Sequence, residues 1–286
     1  MTHPELRRIP VNGLELALAV WNPDATNTAL LLHGYLDQKR SFDAVAQLLP
    51  SSWRLIAVDW RGHGDSDRVA SGGTYHLWDH VRDLDALWDA LALQSPVIIG
   101  HSMGANAAIL LCGSGLRTPR GLALLESLGP PGEAAVDGPT RLADAVRARR
   151  VARRVRILSS EEEGVRRIRE TNPHLTEDGV IRLAAHSMRA LGDGTFTWRW
   201  DPALQGPPPY RSTEEGVQEF LRRLTAPLLV VHAQQGYLPP PDMQPDRYAC
   251  VPHARVEALA SVGHHVHVDA PQRLAEILGD WLGKLP

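Results

Sequence analysis

The chain has 286 residues, with 30 Lys or Arg against 33 Asp or Glu and a formal net charge of −3. That balance gives no electrostatic reason to expect nucleic acid or an anionic membrane as a partner. Two cysteines, Cys112 and Cys250, are too few for a disulfide framework, and no segment reaches the roughly 20 apolar residues of a membrane span.

The N-terminal stretch MTHPELRRIPVNGLELALAV lacks the charged-then-apolar layout and small-residue cleavage site of a secretory leader, so a cytoplasmic protein is expected. Alternation of apolar and polar residues from Val11 to Leu18 predicts a strand, with Asn12-Gly13 as a tight hairpin turn. Ala29–Leu32, Arg54–Val58, Val97–Ile99, Leu122–Leu125 and Leu228–Val231 are short apolar runs bounded by polar or turn residues. Strands buried on both faces read this way. Between them, Tyr75–Leu93 places Leu77, Val81, Leu84, Leu87, Trp88 and Leu91 at helical spacing, and Met103–Leu111 reads as another helix. Strand–helix alternation implies an α/β fold with a mainly parallel central sheet and helices on both faces.

The alternation stops between about 132 and 224, a helix-rich, arginine-rich stretch containing GPPPY at 206–210. It falls between two core strands, so residues 1–131 and 225–286 are expected to form the core and 132–224 an inserted helical cap. Within it, Arg147, Arg149, Arg150, Arg153, Arg154 and Arg156 precede Glu161-Glu162-Glu163. Such a run can recognise an anionic substrate, but a solvated helix face is the expectation.

Gly100-His101-Ser102-Met103-Gly104 matches G-x-S-x-G, after a buried strand and before a helix. A strand turning sharply into a helix strains the serine backbone, and glycines two residues to either side tolerate the crowding. Its hydroxyl then stands above the sheet at a helix N-terminus, where developing negative charge is favoured. A serine so placed needs a histidine and a carboxylate from elsewhere in the chain. With LLLHGYLDQKRSFDAVAQLLP at 30–50, AVDWRGHGDSD at 57–67 and SVGHHVHVDAPQRLAEILGDWL at 261–282, the sequence resembles the α/β-hydrolase superfamily over nearly its whole length. The stretch GDGTFTWRWDPAL at 192–204 is most similar to the capped serine hydrolase-like branch.

The resemblance implies that backbone amides of Tyr35, after His33-Gly34, and of Met103 form an oxyanion hole. It also implies that His264 is the general base, that His33 and His63 brace loops, and that no cofactor is required. A neutral imidazole suits the base because its pKa lies near working pH. His265 and His267 raise the question of a metal in HHVH, but no further ligand group stands out. No metal is expected, and both are read as packing or gating residues. His101 is read as the variable residue of the motif.

The acid departs from the pattern. The superfamily most often places it after the strand equivalent to Leu228–Val231, where this chain reads HAQQGYLPPPD and carries Gly236. Asp242 lies beyond Pro239-Pro240-Pro241. Glu126, directly after Leu122–Leu125, is the favoured alternative, since a carboxylate at a strand's C-terminal edge can orient His264. The competing reading is a broken triad on a ligand-binding module.

The expected activity is cleavage of an ester or related small-molecule acyl substrate through an acyl-enzyme on Ser102. Tyr35, Trp198, Trp200 and His265 are candidate pocket residues. Carbon–carbon bond hydrolysis, acyl transfer and non-catalytic ligand binding stay open. Haloalkane dehalogenase and epoxide hydrolase chemistry are disfavoured, because the resemblance implies a carboxylate nucleophile for them where Ser102 stands.

Overall fold

A computed structural model describes residues 3–151 and 154–286; Arg153 of the basic run lies outside the described residues. Strand β1 (Glu5–Val11) pairs antiparallel with β2 (Leu14–Trp21). Their turn residues Asn12 and Gly13 have φ of 50° and 79°, the pair of positive angles that a type I′ hairpin demands.

The chain then lays down β3 (Asn27–Leu32), β4 (Trp53–Val58), β5 (Val97–His101) and β6 (Gly121–Leu125). After a long excursion it returns as β10 (Leu228–Gln235) and β11 (Arg255–Gly263). The sheet has eight strands in the order β1-β2-β4-β3-β5-β6-β10-β11, parallel from β4 onward.

Because successive side chains of a strand face opposite ways, the apolar runs build two cores. Leu30, Leu32, Ile98, Leu122 and Leu124 join one core with Leu84 and Leu87 of helix Leu77–Ala90 and Leu111 of helix Met103–Gly113. Leu31, Ile99, Ala123 and Leu125 face the other, under Leu274 and Leu278 of helix Pro271–Leu282. Each fully buried leucine contributes about 1.5–3 kcal/mol. These two layers hold the carboxyl ends of β3, β5, β6, β10 and β11 along one edge, where open α/β sheets bind ligands.

Between β6 and β10 the chain forms helices Gly138–Arg149, Glu161–Thr171, Glu177–Ala184 and Glu214–Arg222. A small sheet joins β7 (Ile157–Leu158), β9 (Phe196–Trp198) and β8 (Met188–Ala190). Leu158, Ile168, Val180, Leu183 and Met188 form their own apolar cluster, closed by Val268. Helix Glu214–Arg222, although within 132–224, instead sends Val217 and Leu221 into the main core. Among the described residues no helix is long and apolar enough to cross a membrane.

Candidate active site

Strand β5 ends at His101, and the next residue, Ser102, has φ 50° and ψ −113° before the helix begins at Met103. This is strained backbone for a residue with a side chain. The flanking glycines show why it is possible. A Cβ on Gly100 would stand 2.7 Å from the Ala105 backbone, and one on Gly104 would overlap the Leu32 carbonyl. The Ser102 amide donates to the Leu125 carbonyl at 2.9 Å, fixing the turn against β6.

The residue after β6 is Glu126, also at positive φ (56°), its amide donating to the Val231 carbonyl at 2.8 Å. Its side chain is fully buried. One carboxylate oxygen accepts the Ala233 amide at 2.5 Å. The other accepts the Tyr237 and Leu238 amides at 2.7 and 3.3 Å and meets Nδ1 of His264 at 3.1 Å. Three backbone N–H groups thus hold this carboxylate in place. A Cβ built on Gly236 would overlap this carboxylate, so the glycine at the expected acid position makes room for the Glu126 side chain that follows β6. Asp242 lies exposed on the loop and does not meet His264 among the described residues.

His264 is clamped from several sides. Tyr237 stacks on its ring with centroids 4.2 Å apart, and its backbone carbonyl accepts a hydrogen bond from Nε2 of His101 at 2.9 Å. His101 is therefore more than the variable residue of the motif: it ties the serine turn to the histidine loop. Ser102 and His264 border the same cavities, but no hydrogen bond joins their side chains among the described residues. Such contacts often tighten only when substrate binds.

Gly34 brings the loop after β3 against the turn: a Cβ there would stand 3.2 Å from Cβ of Ser102. Tyr35 follows, and its hydroxyl donates to the Leu204 carbonyl at 3.0 Å. Met103 provides the first amide of its helix, one of those without an intrahelical acceptor. His33 and His63 hold this loop from behind. Nε2 of His33 accepts the Trp60 amide at 3.2 Å, and Nε2 of His63 accepts the Leu36 amide at 3.2 Å. Burial pushes His33 down to about 4 and His63 down to about 3, so both are neutral braces. Beside them Lys39, almost entirely buried, pairs with fully buried Asp59 at 2.6 Å, an anchor that sequence reasoning did not single out.

Two cavities meet at Ser102, and Tyr35, Tyr237 and His264 border both. The smaller, about 650 Å³, is lined by Trp198, Trp200 and His265, the two indoles stacked with centroids 6.1 Å apart. With Tyr35, all four expected pocket residues thus border this cavity. Arg154, Arg156 and Arg167 also line it, whereas Arg147 points outward and pairs with Asp144. The basic run is thus divided between solvent and cavity. The larger cavity, about 1340 Å³, is walled mainly by apolar groups including Trp78, Leu110, Leu128 and Phe220.

The structure also gathers what the sequence scattered. His265 and His267 meet His101 from the end of β5 and Asp37 from the loop after β3, the two further groups that HHVH alone did not reveal. Burial pushes His265 down to about 3 and holds His101 well below its ordinary value.

A profile of the α/β hydrolase family matches residues 29–277. The chain belongs to the α/β-hydrolase family. A serine hydrolase-like protein of Danio rerio is 27% identical over 96% of this chain and 87% of its own length. A Bacillus subtilis protein named as a putative 2-succinyl-6-hydroxy-2,4-cyclohexadiene-1-carboxylate synthase is 24% identical, covering 95% and 96% of the two chains. The crystal structure of a hypothetical protein from Pseudomonas aeruginosa superposes with a TM-score of 0.87 at 29% identity, over 98% of this hydrolase and 100% of that chain.

Proposed function

We propose that this α/β hydrolase cleaves an ester or related acyl substrate, with Ser102 as nucleophile, His264 as base and then acid, and Glu126 as the orienting carboxylate. The observation that carries the reading is the 3.1 Å contact of Glu126 with Nδ1 of His264, made by a carboxylate that three amides hold in place beside a serine on a strained turn. Nδ1–H bonded to Glu126 leaves the lone pair on Nε2, the tautomer able to take a proton from Ser102.

In this mechanism Oγ of Ser102 attacks the acyl carbon while Nε2 of His264 accepts its proton. The amides of Tyr35 and Met103 receive the oxyanion, each such donor worth on the order of 3 kcal/mol. Protonated His264 returns the proton to the leaving group, and the imidazolium is stabilised by Glu126. Water then enters and gives a proton to His264 as its oxygen adds to the acyl carbon; His264 returns that proton to Oγ of Ser102 as the acyl–oxygen bond breaks and the acid leaves.

The apolar walls of the larger cavity suit the acyl portion, and the smaller cavity takes the leaving group. Residues preceding helix Glu214–Arg222 act as a cap over both. The relative's description as serine hydrolase-like agrees with this reading. A fluorophosphonate probe tests it: wild type is labelled and Ser102→Ala is not. Folded wild type that resists labelling, and turns over none of a series of nitrophenyl esters of increasing chain length, sinks the enzyme reading.

A further inference from the structure

We propose that Asp37, His101, His265 and His267 form a binding site for one divalent transition-metal ion of the zinc type, separate from the Ser102, His264 and Glu126 set. One ligand atom from each of the four residues lies within 4.8 Å of the other three. Three imidazoles and a carboxylate are the borderline-soft nitrogen and hard oxygen donors that zinc and cobalt take, and that calcium and magnesium do not favour.

One ring nitrogen on each of the three histidines is short of a partner. Nε2 of His101 donates to the His264 carbonyl, so Nδ1 carries the lone pair, and that atom is buried without a hydrogen-bond partner. Nδ1 of His265 and Nδ1 of His267 are buried and unpartnered as well. Most buried polar atoms find a partner, so an unpartnered Nδ1 on each of three neighbouring histidines calls for a ligand; His267 faces Asp37 through its other nitrogen, Nε2, at 3.3 Å and meets the Ser41 hydroxyl at 3.1 Å.

The outer contacts are those a metal site requires. Asp37 is held by the Gln38 amide at 2.8 Å and the Ser41 hydroxyl at 2.9 Å. His267 lies stacked on Phe42 with centroids 4.6 Å apart. With bonds of about 2.0–2.1 Å, tetrahedral ligand atoms lie about 3.4 Å apart. A pair at the 4.8 Å bound would therefore close by about 1.4 Å, within reach of small side-chain rotations.

The four residues come from three segments: the loop after β3, the end of β5, and the loop after β11. An ion among them would pin the serine turn and the histidine loop to the loop that carries Tyr35. It acts as a clamp and lends no group to the reaction.

Titration of the purified full chain with Co²⁺ and Zn²⁺ tests this. Wild type should bind one ion, show the visible absorption of a tetrahedral Co²⁺ centre, and melt at higher temperature with Zn²⁺, as any ligand specific for the folded state requires. Ser102→Ala should behave identically. Asp37→Asn and His265→Gln should each bind at least about 10- to 100-fold more weakly, the loss that even an outer-shell partner causes. Absence of Co²⁺ absorption in wild type overturns the proposal. So does undiminished affinity in both folded variants, or loss of binding in Ser102→Ala, which would move the ion to the nucleophile. Should either substituted chain fail to fold, anomalous scattering from wild-type crystals soaked in Zn²⁺ decides, and an ion outside these four residues refutes the site.

Discussion

Replacing Glu126 by glutamine removes one charge and changes almost no volume, so its effect isolates the carboxylate. Both oxygens of Glu126 now accept: one takes the Ala233 amide, the other the Tyr237 and Leu238 amides and Nδ1–H of His264. A carboxamide has one oxygen and one NH₂, so in either orientation an N–H group faces another N–H. If NH₂ turns toward Ala233, a buried amide loses its acceptor, at about 1–3 kcal/mol of stability. If it turns toward His264, the imidazole flips to the tautomer with its proton on Nε2 and cannot act as base. The corresponding change in a serine protease triad costs about 10⁴ in kcat, near 5 kcal/mol of barrier. Glu126→Gln should therefore lose on the order of 10⁴ in kcat on nitrophenyl esters, with KM little changed and far-ultraviolet circular dichroism intact. Moving the acid extends the test. Gly236→Asp alone should unfold or inactivate the protein, because its side chain enters the volume of the Glu126 carboxylate. Combined with Glu126→Ala it should regain about tenfold or more over Glu126→Ala alone, a gain of about 1.4 kcal/mol. A Glu126→Gln enzyme within tenfold of wild-type kcat, or a comparable loss in Asp242→Asn, would refute the assignment.

Ser102→Gly relieves the strain of φ 50°, ψ −113° and should raise stability by about 1–3 kcal/mol while abolishing fluorophosphonate labelling; an unchanged melting temperature argues against stored strain. Lys39→Met leaves buried Asp59 without its cation and should cost about 3–5 kcal/mol in urea unfolding, part of it recovered by adding Asp59→Asn. Stability should also fall with acid. His33 and His63 are depressed to about 4 and about 3, so their contribution is complete above the unfolded value of 6.5 and is lost as pH falls from there toward those values. Each contributes a slope approaching about 1.4 kcal/mol per pH unit, and unfolding free energies that stay flat between pH 7 and pH 5 would contradict this.

The parts of the fold that were legible in sequence are those dictated locally. Asn12-Gly13 demanded two positive φ angles and has them, and the apolar runs at β3 to β6 and β10 could be hidden only within a two-faced sheet. The contact of Glu126 with His264 was legible because an acid at the end of a buried strand needs a partner, and because Gly236 carries no carboxylate at the position where one was expected. What sequence concealed depends on distant segments meeting. Asp37 and His101 give no local sign that they adjoin His265 and His267, since neither shares a periodic face with them. The helix Glu214–Arg222 has the amphipathic pattern of any surface helix, and nothing in it shows that Val217 and Leu221 pack on the main sheet. Arg154 and Arg156 likewise read as a water-facing run, because only the folded path brings them to the smaller cavity.

On the proposed reading, the meeting of two cavities at one serine gives the two halves of a substrate separate exits. On the proposed chemistry, the leaving group can drain from the smaller chamber while the acyl portion stays lodged in the larger. The vacated chamber then decides what enters next. Filled by water it gives hydrolysis, and filled by an alcohol that stacks on Trp198 and Trp200 it gives a new ester from the same acylated serine. The partition between the two outcomes becomes a matter of occupancy on one side of Ser102, adjustable by substitutions that never touch the reacting atoms.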